Sequence, residues 1–143
     1  MKPTTRLIAQ NNEDLAKALE AMTQPEIDRF VRTILPLVDS RLLIHPLLGT
    51  CLRKFEADVL TDKSAAARLR VIAKELDQEY FQLQEDGVSE QEWSEKFHQS
   101  RLATALAMIA DGASESNISE IVYEMGHAHD PPDQFFDRIA DTL

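Results

Sequence analysis

Metal-binding residue types gather near the C-terminus. Gly126-His-Ala-His-Asp130, followed by Asp133, places two imidazoles and two carboxylates in one short stretch. Such groups suit zinc or another divalent ion. His127, His129 and Asp130 are the candidate ligands, and Glu124 or Asp133 would have to complete the set. The spacing is unfavourable, because the histidines lie two apart in an expected loop. There is also no His-x-x-x-His pair at helical spacing and no Glu-x-x-His. The favoured reading is a polar loop between helices, with histidine near the end of one helix and Asp130 capping the next. Metal binding is kept as an alternative, and no cofactor is expected.

Nucleophilic chemistry finds little footing. Cys51 falls on the apolar stripe of its expected helix, which suits a buried, inert thiol. His45 is six residues away, but Pro46 and Gly49 intervene and no oxyanion-hole motif follows. The chain has no phosphate-cradling glycine loop, no Gly-x-Ser-x-Gly and no His-Glu-x-x-His. Calcium loops fail at both Asp-Gly turns, since Gln82 or Ala107 would stand at the first ligand position. Enzyme is therefore the minority reading.

Acidic residues are the dominant chemistry. Residues 1–74 hold 12 Lys/Arg and 9 Asp/Glu, a net charge of +3, whereas residues 75–143 hold 3 and 16, a net charge of −13. An acidic half repels phosphate and anionic lipid, and it steers basic partners. The expected function is a non-enzymatic protein-binding module (an inhibitor, immunity-like protein or adaptor). It would engage a basic partner surface through Glu90, Glu92, Glu95, Glu115, Glu120 and Glu124. Trp93 is the candidate aromatic anchor, as tryptophan is favoured at interface hot spots. The plainer alternatives are a solvated acidic surface and a Trp93 packed against Phe97.

The stretch from Ala107 to Ile121 resembles the spacing of a helix-turn-helix motif. Gly112 would sit in the turn, and Ile118 and Ile121 would pack the second helix onto the first. The resemblance covers about 20 residues. It implies a nucleic-acid regulator, but the chemistry opposes that. A recognition helix reads bases with Arg, Lys, Asn or Gln, and this one offers Glu115, Glu120 and Glu124 beside Ser116, Asn117 and Ser119. Nucleic acid is not expected as a partner.

The elements that must position these residues read as helices throughout. Asn11 or Asn12 caps a first helix bearing Leu15, Leu19 and Met22. Thr23-Gln-Pro-Glu26 combines a capping box with an early proline. It opens a helix running from Ile27 toward Leu42, which Pro36 should kink or break. A helix with Leu48, Cys51, Leu52, Phe55 and Val59 inward follows. Thr61 or Asp62 then caps a long helix to about Asp86, and Gly87 ends it. Ser89-Glu-Gln-Glu92 starts another, ending near Gly112. Its stretch Leu102–Ala110 is apolar nearly all round, so it is either central or covered by a second copy. Central placement is favoured, with homo-oligomer contact through Leu102–Ala110 as the alternative. A short helix closed by Gly126 and a last one burying Phe135, Phe136 and Ile139 complete the chain. The segments Glu85–Glu95 and Ala110–Glu120 repeat in register; convergent use of one helix-to-helix turn is the favoured reading, and a duplicated hairpin is the alternative.

The expected architecture is all-α: one domain over residues 1–143, a compact bundle of six to seven helices with no sheet. With 143 residues, 43% apolar and 28% charged, the chain suits a single domain with a real core. Only 4 glycines and 6 prolines argue against a turn-rich sandwich. A lone cysteine excludes an internal disulfide and points to a reducing compartment. No apolar run approaches a membrane span, and no leader pattern is visible. The expected address is cytoplasmic.

Overall fold

The computed structural model describes residues 1–57 and 61–143. These form α1 (Pro3–Ala9), α2 (Glu13–Ala21), α3 (Gln24–Ile34), α4 (Pro46–Ala57), α5 (Lys63–Glu85), α6 (Glu90–Gly112), α7 (Ile118–His127) and α8 (Pro132–Ala140). Two 3-10 turns, Leu35–Leu37 and Ser40–Leu42, join α3 to α4. No strand occurs among the described residues. Val59, expected on the inner face of α4, lies outside them.

Among the described residues the helix count is eight, not six or seven, because Pro3–Ala9 is itself helical. Proline at the first turn suits this start, since its missing N–H costs nothing there. Tertiary contact does the rest. Ile8 is fully buried, and the buried Thr5 hydroxyl lies 2.8 Å from that of Ser119 on α7.

Local signals set the other boundaries. Asn12 accepts the Leu15 amide at 2.9 Å and Asp62 the Ala65 amide at 3.0 Å. Glu26 reaches back to the Thr23 amide at 3.2 Å and the Thr23 hydroxyl at 2.8 Å. Pro36 breaks α3 outright. The helix ends at Ile34 and the chain tightens into a 3-10 turn, rather than carrying its stripe to Leu42. Gly87 and Gly112 both take positive φ (72° and 121°), which only glycine adopts freely.

The frame of the molecule is the antiparallel hairpin of α5 and α6, each 23 residues long. At its base the Asp62 amide donates to the Ala110 carbonyl at 2.8 Å, and Arg70 pairs with Asp111. Midway, the Ser100 hydroxyl donates to Asp77 at 2.6 Å. Toward the tip Lys96 pairs with Glu79 at 3.1 Å. The second half of α6 is the central helix. Leu102, Ala103, Ala105, Leu106, Ile109 and Ala110 are fully buried by this chain's own elements. The alternative of contact between copies through Leu102–Ala110 is thereby corrected, because that surface is already covered. All eight helices contribute to one hydrophobic core.

The first half of the hairpin's return, and the end of its outward helix, differ from the rest. From Asp77 to His98 no residue is fully buried. Tyr80, Leu83, Trp93 and Phe97 are half-buried and Phe81 is 58% exposed. These 22 residues form an arm of two helix ends and their turn, packed chiefly on each other.

Candidate functional site

The arm carries its apolar groups as an aromatic cluster. Tyr80 on α5 lies 5.5 Å, between ring centroids, from both Trp93 and Phe97 on α6, and 4.8 Å from Phe81. Trp93 and Phe97 are four residues apart, so helical spacing sets them on one face. Around them stand seven carboxylates (Asp77, Glu79, Glu85, Asp86, Glu90, Glu92 and Glu95) against one lysine, Lys96. Trp93 is thus half-buried against Tyr80 rather than sunk in the core.

Opposite the arm lies the α7–α8 loop. Tyr80, Trp93, Phe97 and Glu90 face His127, His129, Asp130 and Pro132 across an open cleft of about 740 Å³. A second cleft of about 550 Å³ adjoins it, shares Gln91, Ser94, His98, His129 and Asp130, and adds Asp39, Glu95 and Arg138. The floor is built by α7 and α8. His127 sits 4.3 Å from the Tyr123 ring and edge-on to Phe136, and His129 stacks flat on Phe135 at 4.0 Å.

His129 is fully engaged. Its Nε2 accepts the Asp39 amide at 3.1 Å, which leaves Nδ1 to carry the proton and donate to the Met125 carbonyl at 2.8 Å. This ring ties the 3-10 segment to the end of α7. Burial lowers its pKa, while Met125 and Asp39 oppose the shift. Burial also lowers His98, against the Asp130 carboxylate, and lowers His127, aided by Arg101. Asp39 falls to about 2, because it takes the Arg41 guanidinium and then the Arg41 amide as donors.

The expected metal set is not assembled. A ligand nitrogen must offer a free lone pair, and His129 has spent its own on Asp39. Among the described residues no three His, Cys, Asp or Glu groups converge as a metal site. His127 faces Tyr123 and Phe136, and Asp130 is exposed. The described residues thus do not bring His127, His129 and Asp130 together as a ligand set.

The helix-turn-helix expectation also lacks its readers. The Asn117 side chain is committed to the turn, accepting the Ser114 amide at 2.8 Å and donating to the Gly112 carbonyl at 3.0 Å. Ser119 is buried against Thr5. The polar groups left outward are mainly Glu115, Glu120 and Ser116, so no amide or cation is presented to a groove.

The expected acidic contacts divide into separate places. Glu90, Glu92 and Glu95 are exposed on the arm, around Trp93. Glu115 is exposed beyond the opposite end of α6, roughly 30 Å away at 1.5 Å per helical residue, and Glu120 is exposed on α7, one turn before Glu124. Glu124 is half-buried and holds Arg101 at 3.1 Å, with Asp77 on the guanidinium's other side at 3.4 Å. Burial raises the Glu124 pKa despite Arg101. It acts as an inter-helix tie, so it is not an accessible contact.

Cys51 is buried, and burial raises its pKa, so it offers no thiolate. The cleft residues that spacing did not single out are Tyr80, Phe97, His98 and Asp39. An aromatic spacing was visible for Trp93 and Phe97, but the approach of Asp39 to His129 spans 90 residues. No helix of the described residues is long and apolar enough to cross a membrane. Set against models of known families, curated proteins and solved structures, the chain matches none.

Proposed function

We propose that this chain is a non-enzymatic protein-binding module that docks a basic partner on its acidic arm, Asp77–His98. The observation that carries this reading is the arm itself. A hairpin end with no fully buried residue, a half-covered aromatic cluster and seven carboxylates to one lysine has surface left to cover. Two such arms would repel one another, so charge favours a cationic partner over a second copy. Glu90, Glu92, Trp93 and Glu95 are the contacts this reading uses. Glu115 lies too far away to belong to the same surface, Glu120 stands on α7 outside the arm, and Glu124 is already paired.

The test compares the wild-type chain with Glu90→Gln/Glu92→Gln/Glu95→Gln as bait in native extract, at low and raised salt. The expected result is one stoichiometric basic protein that raised salt releases and the triple variant loses, with the variant's thermal midpoint unchanged. Equal capture by both baits would overturn the reading, because the arm charges would then contribute nothing.

A further inference from the structure

The cleft between the arm and the α7–α8 loop has a chemistry narrower than acidity. One wall is the rings of Tyr80, Trp93 and Phe97, and carboxylates stand at Glu90 on the arm and at Asp130 across it. No Lys or Arg is among the residues lining it. Its three nearest titratable rings, His98, His127 and His129, are held toward the neutral form by burial, so they do not offset the carboxylates near pH 7. The faces of aromatic rings carry negative quadrupole potential and attract cations. A flat guanidinium satisfies both features at once, since it stacks on a ring and donates in a fork to a carboxylate.

We infer that this cleft is the anchor site for an arginine side chain of the basic partner, stacked on the Trp93–Tyr80 wall and bonded to Glu90 and Asp130. This rests on the reading of the arm as a docking surface and deepens it. The volume of about 740 Å³ exceeds one side chain, so neighbouring residues of the partner segment enter with it. The adjoining cleft shares Asp130 and adds Glu95, but Arg41 and Arg138 also line it, so the cation is held on the arm side.

Trp93 is the single tryptophan of the chain, so its emission reports on this wall alone. The full chain would be titrated with acetyl-Ala-Arg-Ala-Arg-Ala-amide and with the same peptide carrying citrulline, the neutral isostere of arginine. The expected result is a saturable shift of Trp93 emission with the arginine peptide, at least tenfold weaker with citrulline. Asp130→Asn, which lies outside the arm, should weaken the arginine peptide severalfold while leaving the circular dichroism melt unchanged. Equal response to both peptides, no saturable response, or indifference to Asp130→Asn would each overturn the site. The two readings fail separately. Capture of a basic protein that needs the arm glutamates but ignores Asp130→Asn would sink the anchor site and leave arm docking standing. An arginine response without any arm-dependent capture would do the reverse.

Discussion

His129 shows most clearly how one side chain serves structure where its type suggests chemistry. Its two nitrogens join Asp39 to Met125, and its ring lies flat on Phe135. Protonation of Nε2 would put a proton where an amide proton already points, so that bond is lost in acid. The pKa values of His98, His127 and His129 are all lowered in the folded chain. Between the ordinary histidine value and these lowered ones the unfolded chain binds more protons. Stability is therefore full above about pH 6.5 and falls as the pH drops through that window. Chemical denaturation from pH 8 to pH 5 should show this loss. His129→Leu should cost about 1–2 kcal/mol at pH 8, because the half-buried Asp39 amide loses its acceptor. The same variant should flatten the acid slope, and an unchanged slope would assign the loss to other groups.

Among the elements, the packing of α7 on α8 depends on one position without a side chain. Gly126 lies within α7, which runs on to His127, and does not close the helix as glycine usually does. Its backbone φ is ordinary, so conformational freedom is not the reason for glycine there. A Cβ at this point would overlap the fully buried Phe136 ring. Gly126→Ala therefore gains helix propensity yet should destabilise the protein by about 1–3 kcal/mol through overpacking. A urea melt measures it, and a neutral or stabilising result would mean that Phe136 can move aside. Pro36, by contrast, acts as its chemistry dictates and ends α3 within two residues. Other helix ends were equally legible. The Asn12 and Asp62 caps, the Thr23–Glu26 pair and the glycines at 87 and 112 all operate within a turn or two. The helix α1 was not legible, because two threonines in a seven-residue segment give a weak local preference. It is held by Ile8 and by the Thr5–Ser119 contact, whose partners are 114 residues apart.

Over the whole molecule the net charge of −10 is concentrated where the structure is thinnest. Of the arm's seven carboxylates, Glu79 meets Lys96 and Asp77 meets Arg101, which leaves an acidic excess, while exposed ion pairs such as Lys17–Glu13 contribute little. Screening should therefore relieve more repulsion than it removes attraction. Raising sodium chloride from about 0.05 M to about 0.5 M, which shortens the Debye length from over 10 Å to under 5 Å, should raise Tm by a few degrees. A lower Tm in high salt would show that the ion pairs at the base of the hairpin outweigh the repulsion in the arm. On the proposed reading, the same imbalance favours a cationic partner over a second copy of the arm.

The sequence by itself determined that the chain is helical, where most helices start and stop, and that acid dominates the second half. Those properties follow from apolar period, caps and composition, each of which acts over a few residues or simply adds along the chain. Only the tertiary structure decided that the hairpin's end stands clear of the core, that Tyr80 and Trp93 face the α7–α8 loop, and that Glu124 faces inward to Arg101. It also decided that both His129 nitrogens are engaged, one by Asp39 and one by Met125. The physical reason is common to all four. A helix fixes its own register through bonds four residues apart, but which face meets which neighbour is settled by packing between segments tens of residues distant.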